Sequence, residues 1–419
     1  MKEKIDVLLL GRGGRESALA AKLLESPRLG VLHTAPAQYP GAEWADINAL
    51  DFEKIASYCV ANHIDLVLVG PEAAVVAGIR EALEPFGIEV IAPCTECARL
   101  EGSKEFAKEF MSQQSIPTPR FMTVTADTVE EGLDYLESRT APYVVKADGL
   151  AAGKGVMITE SLDEAKYFMQ EMLEGLFEES SSTVVLEDFV EGTEVSLFLA
   201  VNGDSYRILT SARDYKRLRN GDKGPNTAGL GSVSPSPKAD ADFIEKVEKR
   251  IIRPTLRGMK MMGLDYKGFL YLGLMDCNGF PMMLEYNVRL GDPETQTIIP
   301  RMESDLIDLL EAIVENRLEE CDIRFSDKCA VGVVLAEGGY PHDVKKGAPV
   351  SCLDIKIPDV VLYQGSVRID PEGECLVCGG RVATSVGLGA DFKEAAENAL
   401  KGAETVTFEG KYYRTDIGL

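Results

Sequence analysis

Ile5-Asp6-Val7-Leu8-Leu9-Leu10-Gly11-Arg12-Gly13-Gly14-Arg15-Glu16 runs from a short apolar stretch straight into a glycine-rich turn. The apolar run reads as a buried strand, and an amphipathic helix follows from about Glu16 to Glu25. The alternation continues with a helix over Phe52 to Asn62, a strand over Asp65 to Val69, a helix over Ala73 to Leu83 and a strand over Ile88 to Ala92. This order predicts a doubly wound parallel sheet with helices on both faces. Free amides and the dipole at the first helix's start favour a phosphate, whereas a tight turn that merely needs glycine explains the same residues. A dinucleotide fingerprint needs a further glycine where Glu16 stands, so NAD is disfavoured.

The pattern changes beyond Pro93, which ends the last of these strands. Ser103 reads as the N-cap of a new helix, so an N-terminal α/β domain is placed at residues 1–103. Short strands around one helix, from about Leu162 to Leu176, mark a small flap at 125–190. A larger α+β domain takes 104–124 and 191–324, with strands near Val195 to Val201, Tyr206 to Thr210, Phe269 to Asp276 and Met282 to Asn287. Helices near Asp240 to Met262 and Ser304 to Glu315 flank it. Residues 329–419 form a small C-terminal α+β domain, making the chain α/β and α+β multidomain.

A chain of 419 residues with 45% hydrophobic residues can bury more than one core. Its net charge of −24 argues against nucleic acid or an anionic membrane as partner. Phosphate ligands remain compatible: a lysine at ~4 Å gains about 4 kcal/mol at an effective dielectric near 20, while distant carboxylates are screened. The first apolar run is too short for a signal peptide and none approaches a membrane span, so a cytoplasmic location is expected. Nine cysteines, an odd and scattered set, fit reduced thiols. Cys94/Cys97 and Cys375/Cys378 have ligand-type spacing but no partners to complete a zinc site. The histidines 33, 63 and 342 form no triad, which disfavours histidine catalysis, and His63 reads as structural.

In Met283 to Glu294, strand alternation puts Glu285, Asn287 and Arg289 on one face. Two hard oxygens suit Mg2+ with nucleotide phosphates as further ligands, and the guanidinium suits an anion; a solvated edge strand is the alternative. Lys146-Ala147-Asp148-Gly149-Leu150-Ala151-Ala152-Gly153-Lys154-Gly155 lies between two strands, which excludes a Walker loop. It reads as a hairpin able to fold over a nucleotide with Lys146 and Lys154 at the phosphates, or as a glycine-rich hairpin with surface lysines. Glu187 to Glu194, including Phe189 and Val190, joins flap to larger domain where an adenine would fit; Glu194 suits ribose hydroxyls or is merely solvated. Ala212 to Arg217 and Gly224 to Gly231 read as loops that close over substrates.

Taken in order, these segments, with Val69-Gly70-Pro71-Glu72, Leu100-Glu101-Gly102-Ser103-Lys104, Gly338 to Pro341, Gly379 to Val382 and Tyr413 to Gly418, resemble the glycinamide ribonucleotide synthetase family of ATP-grasp ligases nearly end to end. The resemblance implies that Lys104 and Lys146 contact ATP, that the loop containing Gly149, Gly153 and Lys154 covers its phosphates, and that Glu285 and Asn287 hold Mg2+ or Mn2+. It implies a reaction in which glycine's carboxylate is phosphorylated and 5-phosphoribosylamine then displaces phosphate, in purine synthesis and without a covalent enzyme nucleophile. On that basis Arg289 is the candidate to steady the transferring phosphoryl group. Gly11, Gly13, Gly14, Arg15 and Glu16 are candidates for the ribose phosphate, and Asp214, Asp292, Pro293 and Glu294 for the glycine or amine ends. Small molecules are the expected partners and a monomer the expected state. Ser17, the segment 35–41, Arg213, Tyr215 and Ala228 depart from the family pattern, so a ligase with another acceptor, or an ATP-binding module without turnover, are the alternatives.

Overall fold

The computed structural model describes residues 2–150, 155–175 and 183–419; Gly153 and Lys154 lie outside the described residues. The N-terminal sheet is parallel, in the order Glu43–Trp44, Leu29–Pro36, Ile5–Gly11, Leu66–Val69, Glu89–Ile91. Its central strand alternates between two cores: Leu8 and Leu10 pack with Ile55, Val67 and Ala74, while Val7 and Leu9 pack with Ala18, Leu19 and Leu23. Both faces are covered, as a parallel sheet requires. The strand Leu29–Pro36 was not expected, because only its inner half is buried and Gly30, His33 and Pro36 interrupt the apolar run. The helix expected over Ala73 to Leu83 is two short ones, Glu72–Val76 and Ile79–Leu83, separated where Gly78 takes a φ of 86°. His63, with a φ of 54°, follows the helix Phe52–Ala61.

A four-stranded antiparallel sheet forms the flap, in the order Phe121–Thr125, Thr183–Asp188, Tyr143–Ala147, Val156–Thr159. It therefore starts upstream of residue 125. Two helices rather than one cover it, Val129–Glu137 and Leu162–Leu173, the second ending short of residue 176. The unexpected helix contains Gly132, which weakens the sequence signal. A Cβ there would lie 2.8 Å from a Val124 methyl, so glycine allows helix and strand to approach.

The central sheet is nine-stranded and runs Phe280–Asn287, Lys267–Cys277, Thr193–Asn202, Ser205–Asp214, Gly231–Ser234, Cys329–Glu337, Arg381–Gly389, Val360–Gln364, with Lys411–Tyr412 paired to Cys329–Glu337. The strands of the C-terminal residues thus continue the sheet of the larger domain, so groups on both sides of residue 329 share one scaffold. The helical stretch expected near 240–262 is Ala241–Val247, capped by Asp240, then a wide turn over Glu248–Ile252, then Arg253–Met261. Pro254 explains the wide turn, since it has no N–H to donate to the preceding turn. Among the described residues no helix is long and apolar enough to cross a membrane.

Candidate functional site

Glu285 sits near the end of the strand Phe280–Asn287, opposite Gly273. Burial alternates as expected: Tyr286, Val288 and Leu290 are inside, and Glu285, Asn287 and Arg289 are partly open. Burial acts to raise the Glu285 carboxyl, but Lys216, Lys146, Lys104 and Arg289 together hold it below the usual carboxylate range. Lys216 Nζ lies 3.0 Å from Glu194 Oε2 and 3.9 Å from Glu285 Oε1. Lys104, at the start of the helix Lys104–Gln113, donates to the Gly149 carbonyl at 2.8 Å. That helix is capped by Ser103 as expected, and Asp148 accepts from Ser103 Oγ and from the Glu105 amide, each at 3.1 Å. The start of the glycine loop is therefore docked on the helix that supplies Lys104.

Lys146 forms an ion pair with Glu187 at 2.7 Å, and Lys108 pairs with the same carboxylate at 3.2 Å. The Glu187 side chain, a candidate adenine contact, is thus occupied by two lysines; Phe189 beside it is exposed. Burial lowers the Lys108 ammonium to about 8 despite Glu187 beside it, with Lys146 adding to the lowering.

Glu285 and Asn287 are neighbouring oxygen-bearing side chains at the end of one strand; among the described residues no group of three or more His, Cys, Asp or Glu gathers into a metal cage. An ionised carboxylate with one amide oxygen fits a hard cation that takes its other ligands from water and phosphates. The residues present therefore fit Mg2+ carried on a nucleotide.

Arg289 does not present a free guanidinium. It pairs with Glu101 at 2.7 Å and Glu72 at 3.4 Å, and Glu101 also accepts from the Val288 amide at 2.7 Å. The strand ends at Asn287, and these two N-terminal carboxylates fix the segment beyond it. These ion pairs hold the Arg289 guanidinium in place beside the strand that carries Glu285.

The glycine turn is built around Glu16, which is fully buried and paired with Arg15 at 2.6 Å. A Cβ at Gly70 would lie 1.8 Å from Glu16 Oε1, and one at Gly11 2.7 Å from its carboxyl carbon. Tyr39 closes the turn, its hydroxyl accepting from the Gly13 amide at 3.0 Å and lying 3.1 Å from the Gly13 carbonyl. Gly11 and Gly13 are thus engaged in making the turn, and Tyr39 gives the unusual segment 35–41 a structural task. Because the pinned carboxylate cannot retreat, Gly70→Ala is expected to lower stability by about 1–3 kcal/mol, read as a lower denaturant midpoint.

Asp214 closes the strand Ser205–Asp214, and its Oδ1 is buried without a hydrogen-bond partner. Glu294 accepts from Ser196 Oγ at 3.2 Å. Burial and the nearby Glu294 charge push the Asp214 carboxyl well up, and burial also raises that of Glu294. Arg381, from the C-terminal residues, donates to the carbonyls of Ala228 at 2.7 Å and Asp292 at 2.8 Å and pairs with the Asp292 carboxylate at 3.4 Å. It ties the loop 224–231 to the turn 292–294. Gly229, at a φ of 103°, lets that loop close: a Cβ would lie 2.5 Å from the Pro293 ring and 2.7 Å from Asp214 Oδ1. Arg213 and Arg414 both lie over the Tyr215 ring, at 4.8 and 5.3 Å, and both pair with Asp222. The two departures at 213 and 215 are therefore used in packing.

Lys108, Lys216, Glu72, Glu101 and Arg381 were not singled out from sequence as site residues. Lys108 had a signal, standing four residues after Lys104 on the same helical face. Arg381 had none outside the resemblance, since it comes from the far end of the chain.

A parallel α/β unit, a small antiparallel flap and a broad sheet whose cations converge on one carboxylate define the ATP-grasp class of proteins. Three family models match the chain: phosphoribosylglycinamide synthetase N domain over residues 5–101, its ATP-grasp (A) domain over 102–295 and its C domain over 330–419. The chain belongs to the phosphoribosylglycinamide synthetase family. It is 40% identical to the phosphoribosylamine–glycine ligase of Pasteurella multocida over 99% of this chain and 97% of the relative. Identity to that of Caldanaerobacter subterraneus subsp. tengcongensis is 38% over 98% and 99%. The crystal structure of phosphoribosylamine–glycine ligase from Thermotoga maritima superposes with a TM-score of 0.85 at 33% identity, covering 98% of this chain and all of that one. A biotin carboxylase domain from Hydrogenobacter thermophilus, solved with MgADP, shares the fold alone, with a TM-score of 0.75 at 16% identity over 99% of this chain and 92% of that one.

Proposed function

We propose that the chain joins glycine to 5-phosphoribosylamine at the expense of ATP, giving glycinamide ribonucleotide, ADP and phosphate in purine synthesis. The observation that carries the reading is the convergence of Lys216, Lys146 and Lys104 on Glu285, Lys216 at 3.9 Å, which holds that carboxyl below the usual range. Lys104 and Lys146 bind the ATP phosphates, and Glu194 takes the ribose hydroxyls once Lys216 turns from it. Glu285 and Asn287 would hold Mg2+ or Mn2+, which when bound would neutralise charge at the phosphates. Glycine's carboxylate attacks the γ-phosphate, and the resulting acyl phosphate is captured by the amine. Asp214 and Glu294 face that amine and accept the proton it releases as the amide forms. Arg15 and the helix start at Gly14 face the ribose phosphate. No step requires an enzyme nucleophile, so the catalysis is positioning and electrostatics. The protein acts in the cytoplasm as a monomer.

The test is ADP release with ATP and Mg2+ while glycine and fresh phosphoribosylamine are varied. Release only with both present supports the reading; release with a different amine, or none with any, contradicts it. Arg381→Ala is expected to lower kcat/KM for the amine about 10- to 100-fold, the loss of charge-assisted hydrogen bonds, with ATP affinity unchanged.

A further inference from the structure

The helix Lys104–Gln113 carries two inward lysines, and among the described residues it is Lys104 that meets the start of the glycine loop, at the Gly149 carbonyl. The Lys108 side chain is 2% exposed and the Glu187 side chain 3%. Lys108 Nζ donates to Thr118 Oγ1 at 2.7 Å, and Thr118 donates to the Met283 carbonyl at 2.8 Å, on the strand that bears Glu285. On its other side Lys108 pairs with Glu187 at 3.2 Å, whose second oxygen is 2.7 Å from Lys146. One polar line thus runs from the central sheet to the flap strand Thr183–Asp188 and ends on Lys146. Burying an ammonium is costly, and an apolar side chain of the same volume fills such a space at less cost. Two ammonium groups also share one carboxylate. Lys146 is therefore only half neutralised and keeps charge for a phosphate; with Lys108 gone, Glu187 pairs with Lys146 alone.

We propose that Lys108 is a positioning residue for nucleotide binding: it divides the Glu187 charge so that Lys146 stays available to the phosphates, and through Thr118 it fixes the flap against the strand of Glu285. This rests on reading Lys146 as a phosphate contact. The experiment measures equilibrium binding of ATP and of AMP, with Mg2+, to the full chain and to Lys108→Met, Lys108→Arg, Lys146→Met and the Lys108→Met/Lys146→Met double variant. Lys108→Met is expected to weaken ATP roughly tenfold or more, the scale of one charge-assisted hydrogen bond, and AMP by less than about twofold. Lys108→Arg restores most of the ATP affinity, and the double variant binds ATP no more weakly than Lys146→Met alone, since the two residues act as one unit. Equal losses for ATP and AMP, or additive effects in the double variant, overturn the proposal. Should Lys108→Met fail to fold, Thr118→Val decides: a smaller ATP-selective loss supports it and a non-selective one overturns it. If the unaltered chain binds no ATP, the nucleotide reading itself falls, a result distinct from wild-type binding with additive variants.

Discussion

Glu285→Ala is expected to cut metal-supported ADP release by about 10³-fold or more while the protein remains folded. A divalent ion at a transferring phosphoryl group contributes several kcal/mol, and each ~1.4 kcal/mol is a factor of ten in rate. The fold survives because the side chain is 44% exposed, so truncation widens the cleft rather than leaving a cavity in a core. Lys216 keeps Glu194 as a partner at 3.0 Å. The checks are turnover against Mg2+ concentration and the thermal unfolding midpoint. Unchanged turnover would remove Glu285 from the metal site, and a collapse of the midpoint would make it a structural residue.

Asp214→Asn is expected to act in opposite directions on activity and stability. Burial, then the Glu294 charge, raises the Asp214 carboxyl well above its ordinary value. A folded-state pKa above the unfolded one means that the folded protein binds the proton more tightly. Stability therefore falls as pH rises through the window between the two values, and the full penalty is present above the folded pKa. The amide removes that penalty. The denaturant midpoint of the variant should exceed the parent's at pH 8, with the difference shrinking as pH falls toward 5. Turnover should drop about 10²-fold or more, because the carboxylate with a buried, unpartnered oxygen is lost as a proton acceptor for the amine. A midpoint below the parent's at pH 8 would contradict the electrostatics described for this pair.

How much of this was legible in the sequence depended on how local the signal was. The strand Ile5–Gly11, the Ser103 cap and the alternation at 285, 287 and 289 are set by neighbouring residues, and each appears where the pattern places it. Where glycine serves packing rather than a turn the pattern misleads. Gly132 hid a helix, and Gly70 marks room for a buried carboxyl. Gly78 divided a helix that apolar spacing joins. The ion pairs of Arg289 with Glu72 and Glu101 and the ties made by Arg381 join residues far apart in the chain, and no periodicity carries them. Sequence thus located the strands and helix starts better than it located the distant partners that fix their side chains.

The most direct test of the nucleotide cleft is a crystal structure of the chain with a non-hydrolysable ATP analogue and Mg2+. The account predicts the triphosphate under the flap, with Lys104 and Lys146 on its oxygens and the metal bridging those oxygens to Glu285 and Asn287. A nucleotide bound elsewhere, with Glu285 still facing Lys216 and no metal beside it, would contradict it.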